Sequence, residues 1–140
     1  MRALRIILNI PLFLILLVVY NILEFSAVGP EGASVLQTPL FRFPLMSGST
    51  VTIDVSGLLI IIGLHAIYFE ILKSVRSSVS TIISHTLSLI VFIVFLVEFL
   101  MVPQAGTPSF LILTFMSLLV VIAGFTVSIS SARRDFMVER

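Results

Sequence analysis

A chain of 140 residues that is 59 % hydrophobic and 11 % charged, with a mean hydropathy of +1.24, lies far outside the range of a soluble domain and reads as an integral membrane protein. A net charge of +1 with scattered basic residues leaves no electrostatic footprint for nucleic acid. The absence of cysteine removes disulfides, thiolate nucleophiles, cysteine-ligated zinc and iron–sulfur clusters, and two histidines are too few for a four-histidine pair of haems.

The first stretch, "MRALRIILNIPLFLILLVVYNILEF", has the basic start of a signal peptide, but its apolar part is about 20 residues, the length of a bilayer span. It is expected to be retained as a first helix from about Ile6 to Phe25. Pro11 falls near its start, where a missing amide costs least, and Gly29-Pro30 follows as a stop. The segment from Ser26 to Asp54 is the only sizeable element outside the apolar spans. Within it, "PLFRFPLMSGSTVTIDVS" alternates apolar and polar residues around Ser47-Gly48-Ser49, which predicts a small β-hairpin. Pro39 and Pro44 restrict its first strand to an edge or an irregular path. A lone hairpin is marginal, so it is expected to pack across helix ends or against a neighbour.

Three further spans follow, about Val55 to Leu72, Val79 to Val102 and Ser109 to Ile129, each long enough to cross roughly 30 Å of hydrocarbon. Asp54 is placed to cap the second helix. Pro103 ends the third, and Thr107-Pro108 forms an N-cap and first-position pair for the fourth. The connections "KSVRSSVS" and "PQAGTP" are short enough to force antiparallel neighbours. The predicted fold is an all-α membrane protein: a single transmembrane domain over 1–140, built as an antiparallel bundle of four helices with a hairpin-like outer loop. Arg2, Arg5, Lys73, Arg76, Arg133, Arg134 and Arg140 flank one side and only Arg42 the other, which predicts cytoplasmic termini.

The polar groups near lipid are few. Glu24, Asp54 and Glu98 fall toward the outer ends of three spans, where together they would make an acidic ring at the mouth of a bundle, a feature that concentrates cations or passes protons. Glu98 is the most deeply placed. A carboxylate at mid-bilayer costs on the order of 2.5–3.5 kcal/mol, so it needs a partner such as Asn21 or a hydroxyl of the fourth helix, or else a proton. His65 lies near the middle of the second span, to be read as a neutral imidazole bonded between helices or as part of a proton path. His85, with Thr81, Ser84 and Ser88 nearby, lies on nearly the opposite side of the third helix from Glu98, so the two form no relay within that helix. Glu70 meets Lys73 or Ser74 at helical spacing, a weak surface pairing. Thr114, Ser117, Val121, Gly124, Ser128 and Ser131 line one stripe of the fourth span, where small and hydroxyl residues let helices approach and hydrogen-bond in lipid. Phe92, Phe95 and Phe99 read as packing or lipid contact. No spacing predicts a metal site, and no cofactor is implied.

"EFLMVPQAGTPSF" and "GFTVSISSARRD", in the last third of the chain, resemble uncharacterised small four-helix inner-membrane proteins of alphaproteobacteria. The resemblance implies a bacterial inner membrane and no activity. With neither a nucleophile elbow nor a P-loop, and no soluble domain to hold a pocket, an enzyme is not expected. The leading expectation is a structural or interaction protein, an accessory subunit or self-associating scaffold whose hairpin and small-residue stripe mediate contacts. Its partners would be membrane lipids, further copies of itself or other membrane subunits. The alternative is a small proton-coupled or cation-conducting transporter or channel that uses Glu98, with His65 deeper on the path.

Overall fold

The computed structural model describes residues 10–26, 34–74 and 79–138. In chain order it contains helix α1 (Leu12–Ser26), a 3-10 turn at Val35–Gln37, strands β1 (Pro39–Pro44) and β2 (Thr50–Asp54), and helix α2 (Val55–Ser74). Helix α3 (Val79–Met101), a second 3-10 turn at Pro103–Ala105 and helix α4 (Pro108–Val138) follow. Among the described residues three segments are long and apolar enough to cross a bilayer, Val55–Ser74, Ile83–Met101 and Pro108–Ser130, so the protein is an integral membrane protein built on a helix bundle. The described part of the first helix is a shorter apolar helix. The start of its predicted span at residues 6–9 lies outside the described residues, as do Gly29-Pro30 and, from the predicted orientation, Arg2, Arg5, Arg76 and Arg140.

The ends of the elements have local causes. The Asp54 carboxylate accepts from the Gly57 amide at 2.7 Å and the Ser56 hydroxyl at 2.9 Å, so one residue closes β2 and caps α2. Helix α3 stops at Met101 because Pro103 pushes Val102 into extended backbone, with φ −106° and ψ 113°. The Thr107 hydroxyl accepts from the Phe110 amide at 3.1 Å and Pro108 opens α4, the cap pair expected from the sequence. Helix α4 runs on to Val138, beyond the end expected near Ile129. The "SARRDFMV" stretch holds no glycine or proline to stop it.

Strands β1 and β2 form the expected hairpin, antiparallel with Phe41 opposite Ile53, Arg42 opposite Thr52 and Phe43 opposite Val51. The turn closes through Leu45 and Ser49, whose amide and carbonyl meet at 2.8 Å, and Gly48 takes the positive φ of 84° that the reversal requires. A register shift between Pro39 and Phe41 makes the start of β1 irregular, as the proline there dictates.

In the bundle, α4 packs most extensively, against α2 on one side and α3 on the other. Phe95 lies fully buried between α1 and α4, with its ring 5.3 Å from Phe110 and edge-on to Phe13 at 6.3 Å. Apolar side chains such as Ile61, Leu64, Ile93, Val97, Phe115 and Leu119 point outward, the pattern of helices whose solvent is lipid. Close approach depends on two glycines. A Cβ on Gly63 would lie 3.1 Å from both Leu113 and Met116, and one on Gly124 would overlap the ring of His85 at Nδ1. The His85 ring on α3 is thus seated directly on the backbone of α4.

Gly124→Ala is therefore expected to destabilise the bundle by about 1–3 kcal/mol through overpacking. The same change made in a His85→Ala background should cost much less. Reversible unfolding of the four variants in bicelles measures this coupling, and equal costs in both backgrounds would remove His85 as the obstacle.

Candidate functional site

The polar groups of the bundle collect at its two ends. At the end that carries the hairpin, α1 and α3 finish and α2 and α4 begin. There the Asn21 amide nitrogen donates to Oε2 of Glu98 at 3.0 Å and also to the Leu17 carbonyl at 3.1 Å, so Asn21 links α1 to α3. The Tyr20 hydroxyl, on a ring that is almost fully buried, shares a hydrogen bond with Thr107 at 2.8 Å, and Ser109 donates to Ser56 at 3.0 Å to join α4 to α2. The last two links were not anticipated. Each joins helices far apart in sequence, and only the docked helices bring the two groups into reach.

The three carboxylates expected to form a ring have separate partners. Glu98 is held by Asn21, one of the partners expected for it. Glu24 accepts from the hydroxyl of Ser34, which in turn accepts the Leu36 amide and caps the first 3-10 turn. Asp54 is engaged in capping α2. Each acid thus has its own donor, on its own connection or on a neighbouring helix. The second oxygen of Glu98 has no hydrogen bond among the described residues, and Glu98 is half-buried. It borders a shallow outward-facing groove of about 430 Å³ with Ile93, Val94, Val97, Met101 and Val102.

The two histidines face different ways. His65 points away from the bundle and bonds through Nδ1 to the carbonyl of Ile61, one turn back, at 2.8 Å, a bond within its own helix and not to another. His85 is only 6 % exposed, beside Phe125 and Gly124, and its Nε2 is buried with no hydrogen-bond partner. The signal for it was Gly124, a residue of low helix propensity on an apolar span that leaves room for a ring on the facing helix.

Glu70 also departs from expectation. It is 6 % exposed and not a surface group. Its Oε1 accepts the Leu12 amide at 2.6 Å and the Lys73 ammonium at 3.1 Å, while Lys73 reaches the Ile10 carbonyl at 3.3 Å. The start of α1 leaves an unpaired amide and a positive dipole end, and a carboxylate from α2 answers both. Helical spacing identified the Glu70–Lys73 pair but gave no sign of the third partner. Ser74, the other residue expected to meet Glu70, bonds instead to the Ile71 carbonyl at 2.7 Å.

The small-residue stripe of α4 faces inward. Thr114, Ser117, Val121 and Gly124 are buried and Ser128 is half-buried, while the side chain of Ser131 lies outside those described. The hydroxyls of Thr114 and Ser117 bond back to the carbonyls of Phe110 and Thr114, at 2.8 and 2.7 Å, and not across to another helix. They act as small spacers with their own polar needs met, and the packing comes from the lack of bulk. Among the described residues, no group of histidine and carboxylate side chains is arranged to hold a metal ion.

No known protein family matches the chain, and no curated protein or solved structure matches it either.

A double-mutant cycle on Asn21→Ala and Glu98→Ala is expected to give a coupling energy of about 0.6–1.7 kcal/mol, the range of hydrogen bonds between helices in membranes. Additive costs would mean that the two side chains do not meet in the bilayer. Glu70→Ala should destabilise by about 1–3 kcal/mol by orphaning the Leu12 amide, and Glu70→Gln, which keeps an acceptor oxygen, by less.

Proposed function

We propose that the protein is a structural or interaction component of a bacterial inner membrane, an accessory subunit or self-associating scaffold and not an enzyme, with its termini in the cytoplasm. The observation that supports this reading best is the use made of Glu98. Its carboxylate ties α3 to α1 through Asn21, and a structural bond of this kind accounts for an acid in an apolar span without any transport step. Glu24, Asp54 and Glu70 are likewise committed to helix ends and turns. The stripe on α4 is used up by packing within the chain, so the surface left for a partner helix is the groove along α3 formed by Ile93, Val94, Val97 and Met101. The sequence resemblance to small inner-membrane proteins supports this compartment, and the lysine and arginine distribution supports this orientation.

A second reading, a proton-coupled or cation-conducting transporter or channel, is favoured by one feature. Glu98 borders a groove that opens outward from the bundle, so copies arranged around an axis at that groove would bring several carboxylates together. His65 lies on an exposed face of α2 and bonds to the carbonyl of Ile61 on its own helix.

Native mass spectrometry of the protein released gently from its own membrane is expected to show a stoichiometric complex, with a foreign subunit or with itself. A lone monomer would overturn the structural reading. Glu98→Gln separates the two functions: proton or cation flux in proteoliposomes stays unchanged for a scaffold, with at most a loss of assembly, whereas a flux that is present and disappears in the variant establishes the transporter.

A further inference from the structure

The β-hairpin has two unlike faces. Paired residues in an antiparallel ladder share a side, so the register places Phe41 and Ile53 with Phe43 and Val51 on one face, and Arg42 and Thr52 with Pro44 and Thr50 on the other. The first face is entirely apolar. Phe41 and Phe43 stack on each other with centroids 6.3 Å apart, yet each is about half exposed, at 50 % and 49 %, and Val51 is exposed as well. At the tip, Leu45 is exposed and Met46 is wholly so. Ile53 is half-buried beside Gly57 at the start of α2, and the other side chains of this face stay open.

Position and charge identify what covers them. Asp54 is at once the last residue of β2 and the cap of α2, whose apolar span begins at Val55, so the hairpin is joined to the membrane boundary without a linker. Its apolar face is thereby held beside the start of that span. Between Pro39 and Ile53 the only ionic side chain is Arg42, a cation on the polar face, where it complements the phosphates of lipid headgroups. The carboxylate of the hairpin, Asp54, lies at the end where β2 meets α2 and is engaged in capping that helix.

We propose that the hairpin is an interfacial membrane anchor: Phe41, Phe43 and Val51 lie in the boundary between headgroups and acyl chains of the leaflet where α2 begins, with Arg42 at the level of the phosphates. This is the arrangement of an amphipathic surface helix carried out by two strands, which satisfy each other's inner hydrogen-bonding groups and bring bulky side chains to one side. It makes the loop a device that sets the depth and tilt of α2.

The chain contains no tryptophan, so a single one reports its own surroundings. The variants Phe43→Trp and Thr52→Trp place that reporter on opposite faces at exposed positions, and the protein is reconstituted into vesicles of phosphatidylethanolamine and phosphatidylglycerol. The expected result is blue-shifted emission for Phe43→Trp, quenched by lipids brominated near the headgroup, with Thr52→Trp red-shifted and quenched by aqueous iodide. Phe41→Trp should repeat the behaviour of Phe43→Trp. Emission that is red-shifted and iodide-sensitive on both faces would overturn the proposal, because the hairpin would then stand in water. A Phe43→Trp signal that neither quencher reaches, together with crosslinking between copies through Val51→Cys, would overturn it in favour of a second copy on this face.

Discussion

A polar group at a helix end in or near hydrocarbon has no water to turn to, and this constraint organises the structure more than any other. The first turn of α1 leaves an amide that Glu70 of α2 accepts, with Lys73 neutralising the carboxylate and holding the carbonyl of Ile10. At the opposite end Asn21, Tyr20 and Ser109 do the same work between other pairs of helices. Because each of these bonds joins different helices, the need of single groups for partners becomes a set of ties between helices, and the register of the bundle follows.

Between these two polar layers the packing depends on bulk. There is no hydrophobic driving force between helices that are already in lipid, so association relies on close contact. Gly63 admits Leu113 and Met116, Gly124 admits the ring of His85, and Phe95 fills the space between α1 and α4. The hydroxyls on the stripe of α4 are neutral to this arrangement, each returning to its own backbone. Stability thus comes from small residues in the middle and polar ties at the ends, and the functional readings turn on what is left outside, the groove beside Glu98 and the apolar face of the hairpin.

The elements themselves were largely legible. Three apolar runs became helices where length and hydropathy placed them, and the proline, threonine and aspartate signals at Pro103, Thr107 and Asp54 stopped or started helices as capping chemistry requires. Alternation around Ser47-Gly48-Ser49 gave the hairpin. The candidate site was legible only in part. Glu98 stood out because an acid in an apolar run is costly wherever it lies, and Asn21 was near enough in depth to be suggested as its partner. The bond expected to tie His65 to another helix falls within its own helix, and the burial of His85 had no sign in the sequence beyond Gly124, since depth along a helix is readable from residue number while the direction a side chain faces depends on which neighbour covers it.

Composition and hydropathy by themselves determined that this is a helical membrane protein with a small strand element outside its spans, because transfer of backbone and side chains into lipid depends on local length and polarity alone. What only the tertiary structure decided is the fate of each polar residue. Glu70 moved from surface to interior, the three acids went to separate partners, and one histidine was buried while the other faced outward. The reason is geometric: a hydrogen bond needs its partner within about 3 Å, and for groups that lie tens of residues apart that distance is set by how the helices dock.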